Sequence, residues 1–318
     1  MRRLTLFLLA GFLLSSSLPF PVLDPFGAIS CCSGLFPFQT NGIFYNPALS
    51  LSNYPALLYS RGSFSFDLSN YLSLGEKGQI DKEELLQEKS FIFKVSSFIM
   101  QGRGGAFAYI SRKTAVVDPE PDEDSVFVKI EGRKEFIFNY SRYLLGNRLI
   151  FGSNLKYARL TSWEEERPLS PVQDRYSLLE ASGEGEESKK IFWDAGLLFL
   201  LSSKIWFALS ALDMETFTGW DLNPHHLYLS AGAGLTASTL ISAGADLLDY
   251  KSDYSVGLVQ RFGRAAVVGL NMRQLYGNRL YSFYGSLKIG GLFLSGSFYF
   301  RNDKAEGFLF GIGVVEDF

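Results

Sequence analysis

Residues 227–318 alternate apolar with small or polar residues at a period of two, and this alternation narrows the possible folds more than any other feature. Leu227, Leu229, Ala231, Ala233 and Leu235 fill one phase, with Tyr228, Ser230, Gly232 and Gly234 in the other. Ile241, Ala243, Ala245 and Leu247 repeat the pattern against Ser242, Gly244 and Asp246. Tyr281, Phe283, Gly285, Leu287 and Ile289 oppose Ser282, Tyr284, Ser286 and Lys288, while Leu292, Leu294, Gly296, Phe298 and Phe300 oppose Ser295, Ser297 and Arg301. Such a period places the two sets on opposite faces of a sheet. A soluble sandwich alternates too, so the content of the second face decides. Ser, Gly, Asn, Asp and Lys suit a wet lumen, and an unbroken apolar face suits lipid. The expected fold is all-β: an antiparallel transmembrane barrel of about 14 strands, spanning residues 56–318.

The strand pattern reaches upstream. Residues 57–68 form a first alternating run, with Leu58, Gly62, Phe64, Phe66 and Leu68 in one phase. Further strands are expected near 91–101, 104–116, 133–144, 147–161, 189–201 and 203–214, and then every dozen residues to the end. Tight connections at Gly102-Arg103-Gly104, Leu145-Gly146, Ser202-Ser203, Ala237-Ser238, Phe262-Gly263 and Gly290-Gly291 alternate with longer ones. The longer ones, 118–124, 162–190 and 213–224, are acidic and read as solvated loops. Short periplasmic turns with long external loops are a barrel trait. The late connections at 250–251, 276–277 and 302–306 are short and follow the rule less well. Within 69–89, Asp81 and Glu84 have capping-box spacing ahead of Leu85 and Leu86, which predicts a short helix.

Residues 1–17 read as a signal peptide: Arg2 and Arg3, an apolar stretch from Leu4 to Leu14, then Ser15, Ser16 and Ser17. That stretch is too short to span a bilayer as a helix. Export without a membrane helix leaves the periplasm, secretion or the outer membrane of a diderm bacterium, and composition favours the last. Hydrophobic residues make up 47% and aromatics 15%, with 31 Gly, as girdled barrels require. A net charge of -3 supplies no basic stripe for nucleic acid. Cys31 and Cys32 are adjacent, which disfavours a bond between them. Small buried thiols are the favoured reading, with Cys31 as a lipid acceptor the alternative.

Residues 27–56 carry a more specific pattern: Gly27-Ala28, then Ser33-Gly34, then Phe44-Tyr45-Asn46-Pro47-Ala48-Leu49. Asn46 can bond its own backbone ahead of Pro47, which fixes φ and starts a short helical turn. The segment resembles the N-terminal region of outer-membrane barrels of the long-chain fatty-acid transporter superfamily (FadL-like), which includes the PorV-like secretion-shuttle proteins. Cys31-Cys32 and Phe36-Pro37-Phe38 replace a more glycine-rich run of the family pattern. The resemblance implies that residues 18–55 fold inward as a plug, with Gly27, Ala28, Asn46, Pro47 and Ala48 as its motif. It also implies an apolar or amphipathic small-molecule ligand. Phe36, Phe38, Phe44 and Tyr45 on the plug, and Tyr228, Tyr284, Phe293 and Tyr299 in the inward phase, are the ligand-contact candidates. The closing strand ends on Phe318, which resembles the signal read by the barrel-assembly machinery, although Glu316 departs from that pattern.

Chemistry is sparse. His225 and His226, the two histidines, are expected as an exposed pair at a loop edge, with no Ser two residues on. Asp122-Glu123-Asp124, Glu164-Glu165-Glu166 and the 184–187 run are expected as solvated loop. No nucleotide or zinc fingerprint is present, so neither catalysis nor a cofactor is expected. The expected partners are outer-membrane lipid, the assembly machinery and a hydrophobic ligand, without nucleic acid. Two functions fit: uptake of hydrophobic or amphipathic molecules through a plugged barrel, or a non-transporting scaffold that binds proteins through its outer loops.

Overall fold

The computed structural model describes residues 43, 46–50, 64–73, 90–102, 104–119, 125–145, 148–168, 185–202, 205–215, 224–236, 238–248, 253–262, 266–275, 278–301 and 304–316. They hold a 3-10 turn, Pro47–Ser50, and fourteen strands: β1 Phe64–Ser73, β2 Ser90–Gly102, β3 Gly105–Pro119, β4 Ser125–Leu144, β5 Leu149–Pro168, β6 Glu186–Leu200 and β7 Ile205–Glu215, followed by β8 His226–Gly234, β9 Thr239–Asp246, β10 Asp253–Phe262, β11 Ala266–Leu275, β12 Asn278–Ile289, β13 Leu292–Arg301 and β14 Lys304–Glu316. Each strand pairs antiparallel with its sequence neighbours. β1 then pairs with β14, from Phe64↔Glu316 to Ser73↔Gly307, and the sheet closes into a barrel. Closure removes the sheet edges, which a bilayer could not satisfy.

The two phases of the sequence become the two faces of the wall. Leu229, Ile241, Leu258, Leu270, Leu292, Leu294, Phe298 and Phe300 are exposed on the outside, while Ser242, Asp246, Ser255, Asn271 and Ser282 are buried within. On β4, buried Glu135, Ile137, Asn139 and Ser141 alternate with exposed Phe136, Phe138 and Tyr140. This outer apolar band ends at Phe136 and its β5 partner Tyr157. The next outward positions are Lys134 and Arg159, and Arg159 pairs with Glu187 of β6. From Phe136 to the turn after Leu144 is roughly nine residues, the span a tilted strand needs to cross hydrocarbon.

Above that band β4 and β5 run on, so that β4 starts at Ser125 rather than near 133 and β5 ends at Pro168 rather than near 161. Glu164, Glu165 and Glu166 therefore sit in a strand, not in a solvated loop. An ion pair and a hydrogen bond from β4, with a second ion pair along β5 itself, hold them there. Lys129 Nζ lies 2.9 Å from Glu164, Ser125 Oγ donates to Glu166 at 2.6 Å, and Arg167 lies 2.5 Å from Glu165. In this extension the outward phase of β4, Val126, Val128 and Ile130, is fully buried. Asp213, read as the first residue of a loop, belongs to β7. Residues 57–63 of the expected first strand and the expected helix at 81–86 lie outside the described residues.

Placing a charge in the outer band tests this assignment. Leu258→Arg, on the exposed face of β10, should destabilise the barrel by ~2–4 kcal/mol in lipid vesicles, as measured by denaturant unfolding. A change near zero would place Leu258 outside the hydrocarbon.

Candidate functional site

Asn46, Pro47 and Ala48 organise the site. The Asn46 side-chain oxygen accepts the Ala48 N–H at 2.9 Å, a local turn that leads directly into the 3-10 turn. The turn packs against β4, β5 and β6. Two glycines receive it. A Cβ on Gly152 of β5 would collide with Pro47 and Ala48, and one on Gly196 of β6 with the Asn46 side chain and the Pro47 ring. Glycine is required at both places because backbone approaches backbone.

Three side-chain amides grip the segment. Asn46 Nδ2 donates to the Leu197 carbonyl at 3.2 Å. Asn139 Nδ2, from β4, donates to the Pro47 carbonyl at 2.9 Å, and Asn154 Nδ2, from β5, donates to the Ile43 carbonyl at 2.8 Å. The two wall amides are joined, with Asn139 donating to Asn154 Oδ1 at 2.7 Å. The segment has no sheet partner at these groups, and the wall side chains take that place.

Asn154 also donates to Asp194 Oδ2 at 2.8 Å, and from there a charge network climbs the inner wall. Lys156 Nζ lies 2.7 Å from Asp194 and 2.9 Å from Asp213. Arg133 forks onto both oxygens of Asp213 at 2.9 and 2.8 Å. It also lies 2.5 Å from Glu135, which bonds in turn to Arg112. Three cations, Arg112, Arg133 and Lys156, thus balance three carboxylates, Glu135, Asp194 and Asp213. Each pays for desolvation only while its partners stay in place.

A bulge makes room for this arrangement. The β6–β7 register shifts between Trp193 and Ala195. Asp213 has φ 56°, an uncommon value for a non-glycine residue, and Leu212, Asp213 and Met214 are all buried. The bulge turns the Asp213 carboxylate towards Arg133 and its N–H to Asp194 Oδ1 at 2.8 Å.

Towards the long-connection end a cleft of about 370 Å³ opens over the network, lined among others by Glu131, Arg133, Phe192, Asp213, Glu215 and His225. The Arg133 guanidinium lies over the Phe192 ring at 4.9 Å, and His225 meets that ring edge-on at 6.0 Å. Burial lowers the His225 imidazole from its ordinary value against the opposing pull of Asp213 and Glu215. His226 Nδ1 lies 2.8 Å from Asp246 Oδ2, and its ring stacks on Tyr228 at 5.6 Å. The histidines are thus half-buried and engaged, not an exposed pair. Register explains it, because Asp246 stands opposite Tyr228 and so beside His226.

The other sequence candidates divide in two. Tyr228 is buried on the inner face, as expected of its phase. Tyr284, Phe293 and Tyr299 fall in β12 and β13 with Tyr284 in phase with Ser282, and their side chains lie outside the described residues. So do Gly27, Ala28, Phe36, Phe38, Phe44, Tyr45 and Phe318. The sequence reading missed Asn139, Asn154, Lys156 and Asp194. Their signal was present: each is a polar residue in the inward phase of a strand whose outward phase is apolar, where a charge is costly and functional.

Two substitutions test the site. Gly152→Val should displace residues 46–48 and expose a protease-sensitive site there while the barrel keeps its heat-modifiable mobility in electrophoresis; continued resistance would contradict the docking. Lys156→Met should destabilise the barrel by ~3–5 kcal/mol, because it leaves the buried Asp194 without its cation, whereas Lys156→Met with Asp194→Asn should recover part of the loss. Denaturant unfolding measures both, and additive losses would contradict the network.

No protein-family model matches the sequence, and no curated protein matches it by sequence. By structure the chain is similar to the CymD monoaromatic hydrocarbon channel, with TM-score 0.52 and 12% identity over 92% of this chain and 96% of that one. It is also similar to the toluene transporter TodX of Pseudomonas putida, with TM-score 0.52 and 9% identity over 92% and 98% of the two chains. A Pseudomonas aeruginosa FadL homologue aligns over 90% and 95%, at TM-score 0.48 and 11% identity. The fold is the one shared with the CymD channel and the TodX transporter.

Proposed function

We propose that this protein is an outer-membrane channel for the uptake of hydrophobic or amphipathic small molecules, closed by its N-terminal segment. The observation that carries this reading is the grip on Ile43, Asn46 and Pro47. The segment is held to the inner wall by side-chain hydrogen bonds, each worth about 1 kcal/mol net. Such a grip orders a closure yet lets it rearrange. Similarity of fold to a hydrocarbon channel and a toluene transporter supports the substrate class. The apolar outer band supports the location in the outer membrane, with lipid and the assembly machinery as partners.

In this reading residues 18–55 form the plug. Phe36, Phe38, Phe44 and Tyr45 offer apolar surface to a passing ligand, with Tyr228, Tyr284, Phe293 and Tyr299 on the wall. Substrate enters from the cleft above the charge network and leaves past the plug. The network keeps the wall rigid while the amides let go. A scaffold that binds proteins through its outer connections is the competing outcome.

Deleting residues 27–44 separates them in planar bilayers and in cells. The channel reading expects a steady conductance absent from the full-length protein, and Phe44→Ala with Tyr45→Ala should change uptake of toluene several-fold while the barrel still assembles. A non-conducting deletion with unchanged toluene uptake would overturn the reading in favour of the scaffold.

A further inference from the structure

A second place on the inner wall is built for a ligand. Register aligns one row across four strands: Ser242 of β9 faces Gly257 of β10, Gly257 faces Asn271 of β11, and Asn271 faces Ser282 of β12. All four share the buried inward face. Ser242 and Asn271 are 4% exposed and Ser282 is 2% exposed. Yet Ser242 Oγ, Asn271 Nδ2, Asn271 Oδ1 and Ser282 Oγ have no hydrogen-bond partner among the described residues. Buried polar atoms are nearly always paired, so four orphans at one level need an explanation.

Geometry supplies one. Neighbouring strands lie about 4.8 Å apart, so Ser242 and Asn271 stand about 10 Å apart across Gly257. Gly257 sends no side chain between them. At one end of the row Gly232 faces Ser242, and the Trp206 indole lies where a Gly232 side chain would be. The row therefore has bare backbone at Gly257, an aromatic ring at one end and unpaired polar atoms along it.

We infer that Ser242, Asn271 and Ser282 form a subsite for an uncharged hydroxyl or carboxamide group on the transported molecule. This rests on the uptake reading above. Asn271 offers two N–H donors and a carbonyl acceptor, and each hydroxyl offers a donor and an acceptor. A hydroxyl or carboxamide matches that set. A carboxylate only accepts, and it would leave Asn271 Oδ1 orphaned while losing its own hydration. Arg273 stands two residues along the same face, but its Nη2 is already directed to the Tyr228 hydroxyl at 3.5 Å. The subsite selects within the substrate class: of two molecules with the same apolar body, the one with a neutral polar group is held.

Trp206 provides the readout, because a bound bromine atom quenches a nearby indole. The probes are 4-bromophenol, bromobenzene and 4-bromobenzoate, titrated into the full chain in detergent micelles, with Trp206→Phe to assign the signal. The subsite predicts that bromophenol binds about tenfold tighter than bromobenzene, the effect of one or two well-placed hydrogen bonds. Asn271→Leu should abolish that preference. Ser242→Ala and Ser282→Ala, which each remove one orphaned oxygen, should reduce it, and they keep the test valid if Asn271→Leu fails to assemble. Equal binding of bromophenol and bromobenzene to the unaltered protein would overturn the subsite while leaving hydrophobic uptake intact. Tightest binding by bromobenzoate would overturn it in favour of recognition by Arg273. Absence of Trp206-dependent quenching by all three probes would overturn it too, and toluene uptake then decides the uptake reading separately.

Discussion

Asn154 makes the contact on which the rest of the inner structure depends. One of its N–H groups holds the Ile43 carbonyl and the other holds Asp194, while its oxygen accepts from Asn139. A single amide thus joins the N-terminal segment, a neighbouring strand and the charge network. Every polar atom of that side chain is engaged, as a site with little water demands. Asp194 then couples to Lys156 and Asp213, and through Asp213 to Arg133 at the base of the outer cleft. The segment and the cleft lie at opposite ends of one chain of contacts. Those contacts occupy β4, β5, β6 and β7, the quarter of the wall that includes the two longest strands.

The two sides of the barrel differ in how they fill the lumen. On β4–β7 the inner face is crowded, with amides, ion pairs and glycines that seat the 3-10 turn. On β8–β12 it is lean. Gly232, Gly244 and Gly257 alternate with Ser230, Ser242 and Ser255, and several polar atoms there lack partners among the described residues. One side is built to hold a piece of the chain itself. The other leaves hydrogen-bonding capacity unspent, which is the condition for holding something else.

Much of the barrel was legible in the sequence because a bilayer makes the side-chain period strict. Leu292, Leu294, Phe298 and Phe300 could be assigned to the outside from alternation together with the small and polar content of the opposing phase, since a one-residue slip would bury every one of them. The Asn46 turn was legible as well, because the bond to Ala48 N–H is local. Its seat was not. Gly152 and Gly196 are two among 31 glycines, and nothing local marks them as the pair that meets Pro47. The length of β4 and β5 was hidden for a related reason. Glu164–Glu166 look like solvated loop until Lys129 and Ser125 of β4 are set beside them across the strand pair. Asp213 was hidden by its bulge, which breaks the period that sequence reading relies upon. His226 was misread because its partner Asp246 lies across a strand pair, twenty residues on.

The central claim is that the segment around Asn46 is docked on the inner wall, ordered there but held less firmly than the strands hold one another. Backbone hydrogen exchange of the full chain in lipid nanodiscs, read by mass spectrometry on a peptide covering residues 43–50, tests it without altering any residue. The Ala48 N–H is buried and donated to Asn46, so the account predicts protection of that peptide that outlasts the earliest times yet stays below that of β4–β6. Complete exchange of that peptide at the earliest times, with the strands still protected, would contradict it.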